Sequence, residues 1–231
     1  MHLFKKSAAL LLALAIVSCS DKKQNNNTIA DTLANKSDLA GQTTPTSKKT
    51  ILVFGDSLTA GYGLDDPSEA FPGVIKAKLD SLKLPYTVVN AGVSGETSAG
   101  GLGRIDWILK QKPDIFLLEL GANDGLRGNS VAQTITNLQA IIDKVKAKYP
   151  TTKIILLGMQ VPPSMGQQYV NDFKKMYPDL AAKNHVRLVP FLLDGVGGNP
   201  KLNQADGIHP TAAGAKIVAG NVWKVLQPEL Q

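Results

Sequence analysis

The chain has 231 residues, 43% of them hydrophobic and 19% charged, the balance of a soluble globular protein rather than of a disordered or fibrous one. Its formal charge is +6, but the lysines and arginines are scattered and aromatic residues make up only 6%, so no basic patch with interleaved aromatics points to nucleic acid. A single cysteine, Cys19, rules out an intramolecular disulfide and leaves no thiol for chemistry in the rest of the chain.

Residues 1–18 read as a signal peptide. Lys5 and Lys6 form a charged start, and Ala8 to Val17 form an apolar run too short to span a bilayer comfortably. The run closes on Ile16-Val17-Ser18-Cys19, which resembles a bacterial lipobox and implies that Cys19 is lipidated and becomes the new N-terminus. An ordinary signal peptide with a chance cysteine is the alternative. Loss of residues 1–18 takes two lysines from the +6 and leaves +4. Residues 19–49 are rich in Asn, Thr, Ser, Lys and Asp with almost no large apolar side chain, the composition of a flexible tether with a typical reach of about 30 Å. A lipid anchor of this kind places the protein in a bacterial cell envelope, facing the periplasm or the cell surface. The sorting signal beyond Cys19 leaves the choice of membrane open.

From residue 50 onward the pattern becomes an alternation of strands and helices. Ile51-Leu52-Val53-Phe54 reads as a strand buried on both faces, which stops at Gly55-Asp56-Ser57. Phe71 to Lys83 has helical spacing at Val74, Ile75, Leu79 and Leu82, with Pro72 near its start. Tyr86 to Val89 is a second strand, ending in Asn90-Ala91-Gly92-Val93-Ser94-Gly95-Glu96-Thr97. A helix carrying Leu102, Ile105, Ile108 and Leu109 follows. Ile115 to Leu120 is a third strand, running into Gly121-Ala122-Asn123-Asp124-Gly125. Ser130 to Lys148 is the clearest amphipathic helix, with Asn129 or Ser130 as its cap. Lys153 to Met159 is a fourth strand, and Tyr169 to Lys183 a helix in which Pro178 argues for a break. Val186 to Val189 is a fifth strand, opened by His185. A Gly- and Asn-rich loop then leads through Asp206-Gly207-Ile208-His209-Pro210 to a last helix over about 212–226. Strands separated by helices predict one parallel sheet covered on both faces in a single domain over residues 50–231.

Every polar candidate falls after a strand or in the last loop, and in a parallel sheet those loops share one edge, where open α/β sheets place their ligands. Ser57 needs a base to become a nucleophile, and histidine is the usual one. Of the three histidines, His2 leaves with the signal and His185 is expected at the opposite edge, so His209 remains. Asp206, three residues earlier, can bond its far nitrogen and fix the tautomer. The same segment also suits a turn that merely caps the last helix. The Ser57 and Gly95 N–H groups and the Asn123 side-chain amide are candidate donors to an oxyanion. Gly95 could instead serve only a turn, as Gly92 is expected to, and Asn123 could bond its own loop.

Taken together, Gly55-Asp56-Ser57-Leu58, the Gly95 segment, Gly121-Ala122-Asn123-Asp124 and Asp206-Gly207-Ile208-His209-Pro210 resemble, in order, the four blocks of the GDSL (SGNH) hydrolases. The resemblance covers essentially the whole folded domain. Leu118-Glu119-Leu120-Gly121-Ala122-Asn123-Asp124-Gly125-Leu126-Arg127-Gly128 and Val189-Pro190-Phe191 look most like the bacterial thioesterase I/protease I/lysophospholipase branch, which includes arylesterase-like lipoproteins. It implies a three-layer α/β/α flavodoxin-like fold with a five-stranded parallel sheet. It also implies Ser57 as nucleophile, His209 as base, Asp206 as its orienter, and Ser57, Gly95 and Asn123 as the oxyanion site. Gly125 to Gly128, with Leu126, and the loop Pro162 to Gly166, with Pro163, are expected to line the acyl groove.

The implied reaction is hydrolysis of acyl esters and thioesters, including lysophospholipids and aryl esters, through an acyl-serine, with no metal and no cofactor, by a monomer acting on a small-molecule or lipid substrate. A carbohydrate acetylesterase on the same scaffold and a ligand-binding lipoprotein without turnover are the alternatives. The α/β-hydrolase elbow is excluded because Thr59 stands where its last glycine belongs, and a P-loop is excluded because no Gly-Lys-Ser/Thr follows the strand.

Overall fold

The structure, a computed structural model, describes residues 48–230. The expectations for residues 1–47, Cys19 among them, lie outside the described residues. Strand β1 (Lys49–Gly55) starts polar and ends in a run of buried residues from Ile51 onward, as a strand must when it has neighbours on both sides and helices on both faces. The others are β2 (Tyr86–Gly92), β3 (Ile115–Glu119), β4 (Lys153–Leu157) and β5 (Arg187–Val189). All pair in parallel in the order β2-β1-β3-β4-β5, the doubly wound order expected of a flavodoxin-like sheet.

Among the described residues seven α-helices accompany them: α1 (Ser57–Ala60), α2 (Phe71–Ser81), α3 (Ser98–Ile108), α4 (Ala122–Leu126), α5 (Val131–Lys148), α6 (Gln167–Asn184) and α7 (Ala212–Leu226). Helices α2 and α7 pack together on one side of the sheet, and α3, α5 and α6 form the layer on the other. Phe54 and Phe116, at 5.7 Å, and Phe173 and Tyr177, at 5.8 Å, anchor a continuous core. Helix α5 starts at the Ser130 cap, whose hydroxyl accepts from the Gln133 N–H.

Five local expectations are corrected. Helix α6 is continuous through Pro178, because Pro178 and Lys174 are both exposed and water can serve the carbonyl that proline leaves unbonded, while Phe173, Met176, Tyr177 and Leu180 bury the opposite face. His185 does not open a strand: it ends α6 in the left-handed conformation at φ 53°. Strand β2 runs on to Gly92 by pairing with β1, whereas β4 stops at Leu157. Gly92 is no turn residue either. It closes β2, and a Cβ there would fall 2.3 Å from the Ala60 nitrogen, so its role is to let α1 pass close to the sheet.

Candidate active site

Strand order reverses between β1 and β3, and at that switch point the carboxyl ends of both strands open a crevice. Asp56, fully buried, caps α1 by accepting the Leu58 N–H at 3.0 Å, which turns the chain sharply off β1 and sets Ser57 in the first turn of α1, 8% exposed. The last loop arrives from the other end of the chain. Asp206 Oδ1 accepts the backbone N–H groups of Ile208 and His209 at 2.9 and 3.0 Å, and Asp206 Oδ2 lies 2.6 Å from His209 Nδ1. With Nδ1–H donating to Asp206, His209 Nε2 is left as the acceptor for the Ser57 hydroxyl, 2.9 Å away. These bonds hold the Asp206 carboxyl down at about 2, so it is an anion throughout the neutral range.

The loop is therefore more than a helix cap, since Thr211 caps α7 by itself. Gln204 ties it down, with its side-chain amide donating to the Tyr62 and Pro210 carbonyls and its N–H to the His209 carbonyl. Tyr62, half exposed, lays its ring 4.6 Å from the His209 ring.

Gly95 sits at φ 78°, a conformation glycine adopts without strain, and neither its N–H nor that of Ser57 has a hydrogen-bond acceptor among the described residues. Asn123, in the first turn of α4, uses both protons of its amide, one to Asp56 Oδ2 at 3.0 Å and one to the Glu96 carbonyl at 3.1 Å. An oxyanion held by Asn123 must share or take over one of those protons. The Gly95 segment is braced from outside: Arg104 grips the Glu96 carboxylate with Nε and Nη2, donates to the Ala91 carbonyl at 2.8 Å, and lies over the Phe54 ring. Arg127 donates to the Gly95 carbonyl at 2.9 Å.

The expected groove residues separate. Leu126 is exposed at the end of α4, and Pro163 is exposed in a short 3₁₀ turn, Pro163–Met165. The two segments meet through Gly128 beside Met165 and the Tyr169 hydroxyl on the Asn129 carbonyl. Gly125 does not line a groove: it is buried where a Cβ would strike Val161 and Phe173, so it is a packing position. The recess beside Ser57 and His209, lined by Leu58, Tyr62, Leu64 and Phe71, measures about 10 Å³, room for no more than one water, and none of Gly125, Leu126 and Pro163 borders it. A groove of about 530 Å³ along the free edge of β2, beside Trp107, is lined by neither Ser57 nor His209. No group of three or more His, Cys, Asp or Glu stands ready to hold a metal among the described residues.

Reasoning from the sequence missed Asp56, Glu119, Glu96, Arg104, Gln204 and Tyr62 as parts of this edge. A signal existed for one of them: Glu119 is a carboxyl inside the apolar run Ile115 to Leu120, and such residues are almost never fully buried unless paired.

A serine, a histidine and an aspartate joined by hydrogen bonds at the carboxyl edge of a parallel sheet form the arrangement of a hydrolase that works through an activated hydroxyl. The chain belongs to the GDSL-like lipase/acylhydrolase family, whose model matches residues 53–217. It is 44% identical over 183 residues to the esterase TesA of Pseudomonas aeruginosa, covering 79% of this chain and 90% of that protein. It is 40% identical over 180 residues to thioesterase 1/protease 1/lysophospholipase L1 of Escherichia coli, covering 78% and 84%. Among solved structures, the psychrotrophic esterase EstA from Pseudoalteromonas, in a form inhibited by monoethylphosphonate, superposes with a TM-score of 0.74 at 33% identity, covering 79% of this chain and 99% of that one.

Proposed function

We propose that this chain is a serine esterase that hydrolyses carboxylic esters and thioesters in two steps. Ser57 Oγ attacks the acyl carbonyl while His209 Nε2 takes its proton, and Asp206 stabilises the imidazolium that forms. The oxyanion rests on the Ser57 and Gly95 N–H groups and the Asn123 amide. His209 then protonates the leaving alcohol or thiol, and water repeats the sequence on the acyl-serine to release a carboxylic acid. The observation that carries this reading is the continuous hydrogen-bonded path from Asp206 through His209 to Ser57, at 2.6 and 2.9 Å, with two backbone N–H groups lacking an internal acceptor on the same edge. The relatives named as esterase, thioesterase and lysophospholipase support acyl esters, thioesters and lysophospholipids as substrate classes. We further propose that Cys19 carries a lipid and that the enzyme works as a membrane-tethered monomer in the cell envelope, within reach of membrane lipids. The support is the sequence of residues 1–49.

The test is hydrolysis of p-nitrophenyl esters of increasing acyl length by the wild-type protein and by Ser57→Ala. Activity abolished in the variant is expected, and a long-acyl preference separates a lipid esterase from an acetylesterase. Folded wild-type protein inert on every ester would overturn the reading in favour of a binding protein. Cys19→Ala is expected to release the protein from the membrane fraction, and a variant that still sediments with membranes refutes the anchor.

A further inference from the structure

Behind the nucleophile lies a pair of carboxyls that the reaction above does not use. The β1–β3 register sets Glu119 opposite Gly55, one residue before Asp56. Neither Asp56 nor Glu119 has any exposed surface. The Glu119 carboxyl fills the space that a side chain on Gly55 would need, since an ideal Cβ there falls 2.4 Å from Glu119 Oε2. Oε2 is well served, accepting the Asp56 N–H at 3.0 Å and the Thr59 hydroxyl at 2.8 Å. Oε1 is buried and meets no donor.

Two carboxylates in one dry site repel each other, and an anion at Glu119 would keep one bare oxygen, so a proton is required. The two side chains lie within hydrogen-bonding reach when one of them carries that proton. Its location follows from the partners. Burial raises the Asp56 carboxyl as well, but both its oxygens already accept, one from the Leu58 N–H and one from the Asn123 amide, and these bonds and His209 pull it back toward the anion. No ion pair holds Glu119 among the described residues; burial pushes its carboxyl well above the ordinary range and the Asp56 charge pushes it further. Thr59 from α1 and the buried Tyr177 from α6, which donates to the Leu120 carbonyl and is itself pushed up by burial, face the pair with neutral hydroxyls, and the Arg104 guanidinium of α3, which reaches the Gly55 carbonyl at 3.3 Å, is ion-paired with Glu96.

We propose that Glu119 is a positioning residue of the hydrolysis: it is protonated at neutral pH and, as a donor to Asp56, keeps Asp56 the anion that holds the Leu58 N–H and the Asn123 amide, fixing the Ser57 turn and the oxyanion site relative to each other. The proposal rests on the serine-hydrolase reading only for its kinetic consequences; the proton itself is a property of the resting protein. Because the folded state favours the Glu119 proton, the pair of a protonated Glu119 and an ionised Asp56 persists above the ordinary carboxyl range and is lost as pH rises through the raised value, so its signature lies on the alkaline side.

The experiment compares the wild-type protein with Glu119→Gln and Glu119→Ala. Infrared difference spectra at neutral pH should show a protonated-carboxyl carbonyl band that disappears in Glu119→Gln. On a p-nitrophenyl ester, Glu119→Ala should lower kcat by up to about 100-fold with KM little changed, the scale set by misplaced catalytic groups. Glu119→Gln, whose amide reproduces both the acceptor and the donor, should restore most of kcat and keep it at alkaline pH where the wild type declines. Absence of the band overturns the proposal, as does a Gln variant as impaired as the Ala variant. The spectra and the Gln variant decide the matter even if Glu119→Ala does not fold. Wild-type turnover by Ser57→Ala would refute the hydrolase reading instead, leaving the infrared result to report on Glu119.

Discussion

Gly55→Ala measures how tightly the nucleophile turn is built into the sheet. An ideal Cβ at residue 55 falls 2.2 Å from Thr59 Oγ1, 2.4 Å from Glu119 Oε2 and 2.6 Å from the Glu119 carbonyl oxygen. The first two atoms belong to side chains that can turn aside, but the third is backbone at the last register pair of β1 and β3. Forcing a methyl into so filled a site costs about 1–3 kcal/mol. Pushing the Glu119 carboxyl away strips the buried Asp56 N–H of its acceptor, a further loss of about 1–3 kcal/mol. Alanine returns about 0.4–1 kcal/mol by restricting the unfolded chain. The net expectation is a destabilisation of about 1–6 kcal/mol, centred near 3, and the central value lowers Tm of a domain of this size by roughly 6–12 °C. Urea denaturation and a thermal melt of the variant beside wild type measure it directly. A change smaller than about 0.5 kcal/mol, the range of an ordinary surface substitution, would refute the claim that Gly55 exists to admit the Glu119 carboxyl.

Two further substitutions probe the edge itself. Asp206→Asn should lower kcat by about 10³–10⁴-fold, as expected when the histidine loses its orienting anion. Because Asp206 stays ionised down to about 2, its charge is present across the whole assay range, and the variant should be impaired throughout, from about pH 5 to pH 9; a variant as active as wild type anywhere in that window would contradict the assignment. Asn123→Ala should cost about 10²–10³-fold in kcat with little change in KM, the effect of removing one oxyanion donor, and an unchanged kcat would remove Asn123 from that role.

Much of this molecule is written in local pattern. The apolar runs at Ile51 to Phe54 and Ile115 to Leu120 mark the central strands because only a strand covered on both faces can be apolar without alternation. The α/β alternation makes the sheet parallel, and a parallel sheet carries the loops after Ser57, Gly95 and Asn123 to one edge, so the polar residues of the site could be gathered from the sequence alone. The Asp206–His209 pair is local as well, three residues apart and closed by an Asx turn.

Periodicity states which residues face the core but not what they meet there. That Gly125 packs on Val161 and Phe173 instead of lining a groove, and that α6 passes through Pro178, are outcomes of packing between elements distant in sequence. The Arg104–Glu96 brace reaches back to the β1 and β2 carbonyls, and the Asp56–Glu119 pair joins residues 63 apart. The Asp56–Glu119 contact exists because β1 lies directly beside β3 in the sheet, and only the assembled strand order puts one buried carboxyl against another, where desolvation raises both.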